Sequence, residues 1–233
     1  MSHNPNSYHR RDFLGQLGTA VAALATSGSA TPIFAQPGES MGSGAALLDA
    51  AWDLSWVDRL ANVPHRVVFD ANEVAEGFVL DLVVMFLDQY HGVYNTRDDQ
   101  TRAVIVMRWL GTPLALGDSL WDRYAIGEEV KVQDPVTNRP ARRNPFLRAA
   151  PGVSSEAAAA KLETLRARGT ILLLCNIAAD NWAASHARIA HRSVEEVRAE
   201  MRTGLVPGVI LVPSGIFALI RAQNAGCAYM RWP

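Results

Sequence analysis

The chain has little of what most catalytic signatures need. Its 233 residues hold two cysteines, Cys175 and Cys227, which excludes a disulfide scaffold and any Cys-x-x-Cys redox or zinc site. There is no His-Glu-x-x-His. His186 and His191 would stand roughly 140° apart around a helix axis, too far round to share a metal, and His65 and His91 are lone residues. No glycine-rich phosphate loop appears: Gly-x-Gly occurs only at Gly42 and Gly44. No cofactor and no metal are therefore expected. A net charge of −1 makes no global case for nucleic acid or an anionic membrane. No apolar run approaches the ~20 residues that a membrane-spanning helix needs.

What is present begins with an arginine pair. His9-Arg10-Arg11-Asp12-Phe13-Leu14 precedes a mildly apolar stretch, Leu17 to Ala25, that Gly18 and Thr19 interrupt. A basic n-region, a short h-region and a small-residue c-region are the parts of a secretory leader. The Arg-Arg-x-Phe-Leu core resembles a twin-arginine signal, which exports folded proteins through the Tat translocase. Gly15 and His9 depart from the usual lysine and Ser or Thr. A Sec leader that contains two arginines is the other reading. The expectation is a leader over 1–35, cleaved after Ala30 or Ala35, and a periplasmic mature protein. No cysteine lies near either point, so no lipid anchor is expected.

Residues 36–62 read as a linker rich in Ser, Gly, Ala and Pro, then a short amphipathic helix. Leu48, Trp52, Trp56 and Leu60 form its stripe, with the tryptophans as packing residues. Residues 63–233 suffice for one domain with its own core. Within it, His65 to Asp70 reads as a strand and Asn72 as an N-cap. Val74, Phe78, Leu82, Phe86 and Tyr90 give a helical stripe. Ala103 to Trp109, Thr170 to Cys175 and Val209 to Val212 read as buried strands, and Cys227 to Arg231 as a short last one. A helix is predicted over Leu116–Tyr124, an alanine-rich helix from Ser154 or Ser155 to Gly169, and another over Asn181–His191. A capping box opens at Ser193, and Ser214 caps a helix running to Asn224. Residues 125–152 break the alternation with four prolines and a set of arginines; they read as a covering flap with solvated basic residues. The alternation implies an α/β fold: a mostly parallel five-stranded sheet with helices on both faces.

In open α/β sheets ligands bind beyond the carboxyl ends of the strands. That rule selects Asp70, Asn72, Arg108, Gly111, Cys175, Asn176, Pro213, Ser214 and Gly215. Cys175 is the sharpest, because a thiol at a helix N-terminus is favoured as thiolate, the reactive form. The competing reading is a small buried hydrophobe. Ser214, in Val-Pro-Ser-Gly-Ile, lacks the preceding glycine of a nucleophile elbow, with Val212 in its place, and reads as an N-cap whose helix N-terminus can hold an anion.

The segment Leu205 to Ile216, with Leu219-Ile-Arg-Ala-Gln223 and Gly226 to Arg231, resembles the closing text of the DsrE/DsrF-like family. His65 to Asp70 is similar to its first strand, and Leu174-Cys175-Asn176 to its cysteine-bearing strand end. Arg108 to Asp118 and the loop after it look like a Tat-exported branch. The resemblance implies a five-stranded α/β sandwich assembled as a homo-oligomer. It also implies, at Cys175, a thiol that relays sulfur as a persulfide, with Arg108 or the basic loop holding a small anionic sulfur compound or a sulfur-relay partner protein docking there. Cys227 stands where compact members have tyrosine, which leaves open a Cys175–Cys227 bridge. A non-catalytic oligomeric binding module with structural cysteines is the alternative.

Overall fold

Five parallel strands make one sheet in the order β4-β3-β2-β1-β5. They are β1 (His65–Ala71), β2 (Thr101–Met107), β3 (Ile171–Cys175), β4 (Val209–Val212) and β5 (Ala228–Arg231). The computed structural model describes residues 52–231; the expected leader and most of the linker lie outside them. The three inner strands are almost wholly buried, as a parallel sheet covered on both faces requires. The edges differ: β4 is half-buried and β5 is exposed throughout.

Side chains alternate across the pleat, so each strand feeds two cores. One cluster takes Val67, Phe69, Ile105, Met107, Leu172 and Leu174. Over it lie α2 (Phe78–Tyr94), α3 (Asp118–Arg123), α4 (Ile126–Glu129), α6 (Leu162–Ala167), α7 (Asn176–Ile189) and α8 (Val194–Thr203). The other takes Val68, Val104, Val106, Ile171 and Leu173 under α9 (Gly215–Asn224). Trp56 and Leu60 complete this second cluster, both fully buried, from the short α1 (Ser55–Asp58) and the turn after it. Burial of Leu60 alone contributes about 2 kcal/mol.

Several expectations are corrected. Asn72 caps nothing: α2 begins at Phe78, and Ala75, Glu76 and Gly77 form a left-handed turn before it, with φ of 40°, 54° and 84°. The buried stripe of α2 is Val79, Leu80, Val83 and Leu87, while Phe78, Leu82, Phe86 and Tyr90 are half-buried. The alanine-rich helix is two, α5 (Ser155–Ala159) and α6, broken at Ala160–Lys161. The break has a cause. The carbonyls of Phe146 and Leu147 accept the N–H groups of Leu162 and Glu163, and Lys161 Nζ donates to the Pro145 carbonyl at 2.9 Å.

Residues 125–152 are a packed cover and contain α4. Val132, Ala141, Phe146 and Leu147 enter the first cluster. Buried Asn144 pins the segment by donating to the carbonyls of Leu114 and Leu116 at 3.1 and 2.8 Å. Three of its four arginines stay outside as ion pairs: Arg142 with Glu128, Arg143 with Asp134, Arg148 with Asp118 and Glu163. The capping box at Ser193 and the Ser154 and Ser214 caps are present.

Candidate functional site

β1, β2 and β3 end at one edge of the sheet, and the pleat turns Asp70, Arg108 and Cys175 to the same side. Each lies two residues beyond a side chain of the second cluster: Val68, Val106 and Leu173. The N-terminus of α9 faces them there. Gly215 leaves room for the Arg108 stem, since a Cβ at Gly215 would meet Arg108 Cδ at 2.6 Å. Glycine at this position is a requirement of close approach.

Asp70 is the anchor. Its side chain is 1 % exposed and Arg108's is 26 % exposed. Arg108 donates to it through Nε at 2.7 Å and Nη2 at 2.8 Å, the bidentate fork that lysine cannot make. Tyr229 adds a third donor, its hydroxyl 2.9 Å from Oδ2. The hydrogen bonds to Asp70 hold the Arg108 guanidinium above its ordinary pKa. Burial first, and then the bond to Asp70, raises that of the Tyr229 hydroxyl. A fork through Nε and Nη2 directs Nη1 away from the carboxylate, and Arg108 stands beside Cys175 because Met107 and Leu174, the residues before them, are register partners.

Cys175 ends β3 and is itself the N-cap of α7. That helix starts five residues earlier than the sequence predicts. The Cys175 sulfur accepts the Ala178 N–H at 3.4 Å. Ser214 caps α9 in the same way, its hydroxyl accepting the Phe217 N–H at 3.0 Å. Two helix N-termini thus converge near the Arg108 guanidinium, an arrangement suited to an anion.

The structure brings together Asp70, Arg108, Cys175, Ser214 and Gly215. Asn176 turns away: its amide nitrogen donates to Asp180 and its oxygen accepts from Arg202, tying α7 to α8. Asn72 follows β1 beside a small recess that Phe78 and Met230 also line. Gly111 packs against the Ala71 carbonyl, where a Cβ would come within 2.1 Å of the oxygen. Tyr229 is the residue that strand-end reasoning missed, because only the placement of β5 beside β1 brings it to Asp70.

Both cysteines are free. Cys227 lies at the start of β5, at the opposite edge of the sheet from Cys175. Three strand spacings separate β3 from β5, about 14 Å, twice the Cα separation of about 7 Å that a disulfide tolerates. Burial pushes the Cys227 thiol up to about 11. Among the described residues no group of three or more His, Cys, Asp or Glu side chains gathers to hold a metal. No helix among them is long and apolar enough to cross a membrane.

No protein-family model matches this chain. No curated protein matches it either. A similar solved structure is a protein of unknown function, MTH1491, from Methanobacterium thermoautotrophicum. It is 18% identical, the match covers 72% of this chain and 99% of that one, and the TM-score is 0.34.

Proposed function

We propose that this is an exported DsrE-like protein that carries sulfur on Cys175, and that Arg108 with the N-terminus of α9 orients a small anionic donor. The observation that carries the reading is the thiol at the head of α7, accepting the Ala178 N–H at the end of the strand beside that of Arg108. The thiolate is the form that attacks. In the step, Cys175 sulfur attacks the outer sulfur of a sulfane donor such as thiosulfate. An S–S bond forms at Cys175, the donor's S–S bond breaks, and sulfite leaves with the electron pair. No outside oxidant or reductant is consumed.

One observation favours the alternative, a non-catalytic binding module with structural cysteines: Cys175 is 6% exposed. Timed iodoacetamide labelling followed by intact mass separates the two. The carrier labels at Cys175 well before Cys227, and with thiosulfate it gains the mass of one sulfur atom that Cys175→Ser abolishes. Equal, slow labelling of both thiols assigns the structural role.

A further inference from the structure

On the other side of the sheet from Cys175, the exits of β1 and β2 border a cavity of about 300 Å³. Glu73, Ala75, Trp109, Leu110, Glu129 and Trp182 wall it. The volume is at the low end of small-molecule sites.

Three features of the walls bear on its occupant. Trp109 and Leu110 are 66% and 61% exposed, so core packing does not account for them. Trp109 is also held at φ 53°, and Ala75 across the cavity at φ 40°, a left-handed backbone that costs a residue with a side chain on the order of 1 kcal/mol. Such strain collects at ligand clamps. Second, the titratable wall residues are two glutamates, and no lysine or arginine is among the lining residues. Glu129 pairs with His186 Nε2 at 3.0 Å, whereas Glu73 has no ion pair among the described residues. Third, the Trp182 ring lines the cavity and is held in place by stacking on His186 at 3.8 Å.

Carboxylates repel an anion. A metal ion wants a denser set of oxygen or nitrogen ligands than two glutamates among apolar walls. Indole faces attract cations, above all quaternary ammonium groups, which need no hydrogen-bond acceptor. We propose that this cavity binds a small quaternary ammonium group, as in choline: Trp109 and Trp182 supply aromatic walls and Glu73 the compensating charge. The same group occurs free or as a lipid headgroup. The proposal does not rest on the thiol chemistry.

Calorimetric titration of the full chain with choline tests it, beside the neutral isostere in which carbon replaces the nitrogen. Choline should bind, with the isostere about tenfold weaker or worse. Trp109→Ala should cost a similar factor, Glu73→Gln a smaller one, and Cys175→Ser nothing. Sedimentation with phosphatidylcholine vesicles, without binding of free choline, would place the group on a lipid. Equal binding of the isostere, choline binding unchanged in Trp109→Ala, or no binding to either choline or vesicles overturns it. So does a Trp109→Ala variant whose only change is a smaller particle mass, since that assigns the patch to a second copy.

Discussion

Asp70 meets three donors with a carboxylate almost wholly withdrawn from water. A buried charge of this kind is stable only while its partner stays. Arg108→Ala is therefore expected to lower unfolding stability by about 3 kcal/mol, and Tyr229→Phe by about 1 kcal/mol, in urea titrations read by tryptophan fluorescence. A loss below ~1 kcal/mol for Arg108→Ala would show that the carboxylate reaches water or another donor. Asp70, Arg108 and Cys175 were readable in advance because buried strands end where their apolar runs end. Tyr229 was not, since nothing in a run of four residues says which strand it will lie beside. Asn176 was misread for a related reason: its neighbours come from the next helical turn and from α8, not from the strand it follows.

The α/β alternation was written plainly in the apolar runs, and so were the caps at Ser154, Ser193 and Ser214, because a strand buried on both faces and a capping serine are local signals. Two of the failures among the elements have a visible cause. The split between α5 and α6 depends on carbonyls of Phe146 and Leu147 taking helix N–H groups. The late start of α2 depends on the left-handed turn at Ala75 to Gly77, which no turn-forming dipeptide announces. At the head of β5, Cys227 supplies a pH signature. Its thiol titrates near 9 when unfolded and is pushed up to about 11 in the fold. Its contribution is fully present below pH 9 and is lost as pH rises through about 11. Stability should fall across that window by about 1.4 kcal/mol per pH unit, and Cys227→Ala should flatten the slope. An unchanged alkaline limb in the variant would refute this assignment.

Assembly follows from which apolar side chains remain outside. The helix α2 leaves Met85, Val93 and Tyr94 exposed among Asp81, Asp88 and Gln89, and its aromatic rings pack at tilted angles: Phe86 against Tyr90, Tyr90 against Tyr94, with His65 alongside. Ile216 and Ile220 of α9 and Tyr229 of β5 are exposed apolar groups on the side of Cys175. Self-association through α9 is the expected outcome: light scattering of the protein at micromolar concentration gives a multiple of the chain mass, and Ile220→Lys lowers it towards a single chain. A single-chain mass for the unaltered protein would exclude it.

The pairing of β1 with β5 carries a cost in time. Asp70 and Tyr229 are 159 residues apart, and a ribosome needs on the order of ten seconds to make that much chain. Through that interval β1 can pair with β2 on one side, while its other side offers unpaired backbone N–H and C=O groups to any strand nearby. The carboxylate in β1 waits for its tyrosine over the same interval. The nascent protein is thus most open to misassembly at the strand that carries its most buried charge, and a stop codon a few residues early would make that exposure permanent.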